Sequence, residues 1–257
     1  MYSPTDRPLL VFAISFIAMW LAARVGWWFH SRRGALDEET HQDFGFILAA
    51  TLSMLGIIIG FSFSMATNRY DQRKNYEEAE ANAIGTEYVR ADFLPAADAA
   101  TVRALLRKYL DQRILFYMAG DGQELQEINA RTARLQTELW TGVRVPATAQ
   151  PNYVVGLAVS GMNDVLNSQG YTQASYWNRI PTAAWGLMAA IAIGCNLLIG
   201  YGSRSAKAGS KLLLILPLIG SIAFMLIADI DSPRHGIIRV RPQNLISLAE
   251  SLPRATP

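Results

Sequence analysis

The sequence predicts an all-α membrane protein with four transmembrane helices and a helical cytoplasmic insert between the second and third. Three observations lead there. Charged residues make up only 17% of the chain and hydrophobic ones 51%, whereas a soluble domain is usually about a quarter charged. The charge is also segregated: residues 8–29 (with Arg24 inside), 44–68, 180–203 and 212–228 are nearly free of it. Each run is near the length that crosses a hydrocarbon core of about 30 Å as a helix. Finally, no alternating apolar pattern suggests a barrel, and only a helix otherwise satisfies its own backbone hydrogen bonds in lipid.

The first run could be taken for a signal peptide, but it is too long for the apolar core of one. It ends in Gly26-Trp27-Trp28-Phe29, with no convincing small-residue cleavage site. Trp27 and Trp28 suit an interfacial anchor, and Arg24 is expected to snorkel to the outer interface.

The second run is the most informative. Phe44 to Asn68 is uncharged for 25 residues, and the sequence stays helix-compatible beyond it, with one glycine (Gly85) and no proline before Pro95. Ser53, Ile57, Phe61, Ser64 and Asn68 are spaced 4, 4, 3 and 4 apart, so they share one helical face. Gly56 and Gly60 form a GxxxG pair about 100° away, which would let a neighbouring backbone approach closely. Ile and Phe flanked by small polar residues suit a narrow apolar constriction, and channels can gate by dewetting one. The competing reading is the default for such helices, with these side chains facing lipid or packed neighbours.

Residues 69–179 read as helical. Val102, Leu105, Leu106, Tyr109, Leu110 and Ile114 recur at helical spacing over residues 98–118, between Pro95 and Gly120-Asp121-Gly122. Residues 123–140 repeat the pattern with Leu125, Ile128, Leu135 and Leu139. A break is expected from Val145-Pro146 to Gln150-Pro151, followed by a helix near 153–168. These helices carry too few apolar residues for a large core of their own. Pro217 predicts a kink in the fourth span. A short alternating run, Ile237 to Arg241, is the one strand-like segment. The expected organisation is a first hairpin (1–68), the insert (69–179), a second hairpin (180–229) and a cytoplasmic tail (230–257). Eight basic residues flank the spans on the side of the termini and insert and five on the other, which puts both termini in the cytoplasm.

Chemistry is sparse. His30, His41 and His235 are scattered, and neither a phosphate loop nor a nucleophile elbow occurs. No enzyme, cofactor or metal is read from the sequence. The lone Cys195 allows no intramolecular disulfide, and a net charge of +2 without a basic patch gives no reason to expect nucleic acid. Glu77, Glu78 and Glu80 read as a solvated acidic face, and Asp37-Glu38-Glu39 as a hydrated loop. Asp229 and Asp231 end the fourth span, where the helix dipole disfavours carboxylates. They are expected to form an ion pair with Arg69, Arg73 or Arg234; the alternative, a cation site, has too few ligands.

Two segments carry a resemblance. GIIIGFSFSMATNRYDQRKNYEEAEANAIGTEYVRADFL, from residue 56 to 94, and Leu226 to Gly236 (LIADIDSPRHG) resemble the two motifs of a bacterial family of unassigned function called bestrophin-like. The resemblance covers nearly the whole chain. The family is remotely similar to bestrophins, pentameric anion channels whose second span lines an apolar neck. It implies a homo-oligomeric channel of the bacterial inner membrane for a small inorganic ion. Ile57 and Phe61 would be neck residues, and Ser53 would occupy the next turn outward, where an apolar residue is usual. The tail would brace neighbouring subunits. The acidic calcium-binding run of animal bestrophins is not visible. A different class of reading is a non-conducting scaffold or sensor whose cytoplasmic helices bind a partner.

Overall fold

The computed structural model describes residues 6–33, 38–203, 211 and 213–253. Every regular element among them is helical: α1 (Pro8–Arg33), α2 (Glu38–Arg90), a 3₁₀ turn (Ala91–Phe93), α3 (Ala96–Met118), α4 (Gln123–Ala149), α5 (Tyr153–Trp177), α6 (Thr182–Gly202), α7 (Ile215–Asp231) and α8 (Gln243–Ser251). At 1.5 Å per residue the 53 residues of α2 extend about 80 Å without interruption. The strand-like run at 237–241 is irregular backbone.

The chain divides into two units, Met1–Arg69 with Arg179–Arg239, and Tyr70–Asn178 with Val240–Pro257. In the first, α1 packs along α6 and α7. Two glycines permit the closest approach. A Cβ on Gly26 would collide with the carbonyl oxygen of Leu197, and one on Gly200 with that of Ala23. Small residues let membrane helices touch backbone to backbone in this way. Among the described residues, three stretches are long and apolar enough to cross a membrane: Pro8–Arg32, Gln42–Phe93 and Tyr153–Gly202. The expected fourth, α7, has 17 residues, at the lower limit for a span. Pro217 lies in its first turn, where a missing N–H costs no intrahelical bond, so the site of the expected kink is a helix start.

The second unit has a continuous apolar core, which the insert helices build by packing on one another and on the continuation of the second span. Ile84 and Ala91 of α2 meet Val102, Leu106 and Leu110 of α3, Leu139 and Val143 of α4, Ala158, Met162 and Val165 of α5, and Leu245 of α8. Gly122 precedes α4 at φ 114°, a conformation that favours glycine. Asn152 caps α5 by accepting the Val155 N–H at 2.9 Å. The break expected from Val145-Pro146 to Gln150-Pro151 falls at its C-terminal end: α4 continues through Pro146 to Ala149, and residues 150–152 separate it from α5. Pro146 falls in the last turn, where it removes a single backbone donor. The tail helix α8 is seated on its own chain: Leu248 covers Gly85, and Arg107 Nη1 donates to the carbonyls of Leu252 and Pro253 at 2.9 and 2.6 Å.

Candidate functional site: an uncovered face of α2

Within the first unit α2 is two-faced. Leu55, Ser62 and Ala66 are buried, at 4%, 3% and 0% exposure, and mark its covered face. Phe44 fills the space left by the missing side chain of Gly202 on α6. Ser53, Ile57, Phe61, Ser64 and Asn68 are all exposed, with Ile57 at 58% and Phe61 at 67%. At 100° per residue their mean direction lies about 160° from the mean of Leu55, Ser62 and Ala66. The five residues thus occupy the middle of the arc that the chain leaves uncovered. Gly56, Gly60 and Phe63 border it on one side, and Met54 and Met65 on the other. Gly56 and Gly60 have no atom within 4 Å of a constructed Cβ, so neither packs on another helix of this chain.

The α6–α7 end of the unit is held by carboxylates. Asp229 is buried and accepts the N–H groups of Ile237 and Ile238 at 2.7 and 2.9 Å. These partners are backbone amides of the following turn. That turn closes tightly on the helix end, and a Cβ on Gly236 would strike the Asp229 carbonyl oxygen. Asp231 accepts the Ile180 N–H at 3.3 and 3.2 Å and faces Arg179 Nε at 3.9 Å. Arg179 also pairs with Asp6, ahead of α1. Burial pulls the Arg179 guanidinium below its usual range, and the charge of Asp231 opposes that shift. Arg69 is half-exposed and Arg234 buried. Among the described residues, no group of three or more His, Cys, Asp or Glu could hold a metal ion.

The acidic face expected at Glu77, Glu78 and Glu80 is solvated only at Glu78. Glu77 caps α8, accepting the N–H groups of Asn244 and Leu245 at 2.9 and 3.0 Å and the Asn244 Nδ2 at 2.6 Å. Glu80 is paired with Arg113, both fully buried. It also accepts from Tyr117 Oη at 3.2 Å and Thr172 Oγ1 at 3.3 Å. Burial pushes the Tyr117 hydroxyl upward, and the charge of Glu80 adds to the effect. Burial opposes the charge on Arg113, but Glu80, helped by Tyr109 and Tyr117, more than offsets it and holds the guanidinium cationic. A sequence signal for this network existed. Arg73, Glu77, Glu80, Ile84, Glu87 and Ala91 follow one another at spacings of 4, 3, 4, 3 and 4, so they share one face with two core residues.

A single long apolar helix with an uncovered small-polar and aromatic stripe, set in an all-helical molecule, defines a helical membrane protein. The chain belongs to the bestrophin-like family, whose domain matches residues 10–245. Its fold is similar to that of a bacterial bestrophin homologue from Klebsiella pneumoniae, with a TM-score of 0.64 at 13% identity over 95% of this chain and 99% of that one. Two single-substitution variants of the Klebsiella protein agree. One gives a TM-score of 0.65 at 12% identity over 96% and 97% of the chains; the other gives 0.63 at 12% over 98% and 100%. No curated protein matches the chain by sequence.

Proposed function

We propose that the protein is a homo-oligomeric ion channel in which each copy turns the stripe Ser53, Ile57, Phe61, Ser64 and Asn68 toward a shared axis. The observation that carries this reading is the uncovered arc of α2. Its centre holds the stripe, and its flanks hold the small and flexible residues through which adjacent copies would touch. In a ring, the centre of such an arc faces the axis and the flanks face the two neighbours. Gly56 and Gly60, open in the single chain, then accept a neighbouring helix. Ile57 and Phe61 form the apolar neck, which conducts only when wetted.

The setting that goes with it is a bacterial inner membrane, with α1, α2, α6 and α7 as four spans and both termini in the cytoplasm. Five copies and an anion as the permeant species follow from likeness to bestrophins, since the stripe carries no charge of its own. No enzymatic activity is assigned. Substituting Ile57 and Phe61 together by alanine widens and wets the neck. Purified protein in planar bilayers is expected to show a larger unitary conductance in the double variant than in the wild type. An unchanged conductance, or no current from either protein, overturns the pore assignment.

A second reading draws on the exposed apolar side chains of the helical unit, Val89 at 64%, Met118 at 64%, Tyr153 at 83% and Trp177 at 73%. These would dock a partner if the protein were a non-conducting scaffold or sensor. Dimers without an axial cavity, observed by native mass spectrometry or cryo-microscopy, would select that reading.

A further inference from the structure

Beyond the network around Glu80, the second unit holds a buried acid whose oxygens have no hydrogen-bond partner. Glu87 lies two turns further along α2 on the same face, is fully buried, and has no hydrogen-bond partner at either carboxylate oxygen. It presses against Gly161 of α5. A Cβ built on that glycine would overlap Glu87 Oε2 and lie 2.7 Å from Arg90 Nη1. The missing side chain at position 161 is what allows α5 to close over the acid.

Two charged groups face Glu87, Arg90 from α2 and Asp164 from α5. Arg90 is half-buried and Asp164 exposed, and neither hydrogen-bonds the acid. Asp92 and Arg103, close by in the chain, pair with each other. A carboxylate sealed from water without donors is strongly disfavoured as an anion and far less so as a neutral acid. Burial accordingly raises Glu87 to about 8, with Arg90 opposing the shift and Asp164 adding to it.

We propose that Glu87 is a proton-operated latch between α2 and α5. As the neutral acid it lets α5 lie against α2 across Gly161. Once ionised it must admit water or move toward Arg90, and the contact loosens. The sign follows from where the proton is held. The closed contact retains a proton that an exposed glutamate releases near 4.5. Closure is therefore strongest below about 4.5, weakens steadily as pH rises toward about 8, and is constant above that.

Hydrogen exchange of full-length protein in detergent micelles tests this. After correction for intrinsic exchange, opening of residues 153–165 in the wild type is expected to rise up to about tenfold per pH unit between pH 5.5 and 7.5. In Glu87→Gln, a neutral isostere that keeps the closed geometry, the same profile is expected to be flat. A second measurement does not depend on the variant's dynamics: the infrared band of a protonated carboxyl is expected at pH 7 in the wild type and absent from Glu87→Gln. Equal pH slopes in the two proteins, or a wild-type band already lost when the pH is raised to 6, overturns the proposal.

Discussion

Removing Glu80 tests whether the helical unit rests on its buried ion pair. In Glu80→Ala, the Arg113 guanidinium, 0% exposed, loses the carboxylate it pairs with and keeps the 4.3 Å stacking of its Cζ over the Phe116 ring. Tyr117 and Thr172 lose an acceptor as well. Breaking a buried pair by deleting one partner costs about 3–5 kcal/mol, because the surviving charge stays desolvated. At about 2–4 °C per kcal/mol for a chain of this size, the apparent unfolding temperature falls by roughly 10 °C. The exposed pair of Asp92 and Arg103, with side chains 62% and 30% accessible, supplies the contrast. Asp92→Ala is expected to cost about 1 kcal/mol or less. The discriminating variant replaces both partners with apolar residues, Glu80→Leu with Arg113→Met. Swapping a buried pair for apolar groups of similar volume is often close to neutral, so this double variant recovers most of the loss. The assay is thermal unfolding in detergent, followed by circular dichroism and by tryptophan fluorescence. If Glu80→Ala unfolds within about 2 °C of the wild type, or the double variant is no better than the single, the reasoning about the pair is wrong.

Two predictions concern the first unit. Gly200→Ala on α6 drives a methyl group into the Ala23 carbonyl, a backbone contact that no rotamer change relieves. It is expected to cost about 3 kcal/mol, while Gly186→Ala on the same helix, with nothing within 4 Å, changes stability by less than about 1 kcal/mol; equal unfolding temperatures for the two variants refute the α1–α6 contact. Asp229→Ala leaves the N–H groups of Ile237 and Ile238 without their acceptor. It is expected to cost about 2–3 kcal/mol and to speed proteolysis within residues 232–240, and an unaltered cleavage pattern would show that the turn holds its shape without the carboxylate.

Sequence resolved what depends on local periodicity. The charge gap from Phe44 to Asn68 located the apolar half of α2, and a 4, 4, 3, 4 spacing located the stripe that the structure leaves uncovered. It resolved poorly what depends on distant partners. Glu80 finds Arg113 33 residues away and Thr172 92 residues away, and Gly26 meets Leu197 from the opposite end of the chain. The helical period between Arg73 and Ala91 was readable, but three glutamates in it suggest a wet surface unless the stripe is anchored on Ile84. The same period carries opposite meanings in the two halves of α2. Among apolar neighbours, the small and polar residues mark the face the chain leaves open. Among charged neighbours, the glutamates in register with Ile84 and Ala91 mark the face it closes. What separates the cases is the company a residue keeps at three- and four-residue spacing, because a helix buries a whole face at once, and a polar group on that face must find donors there or, like Glu87, give up its charge.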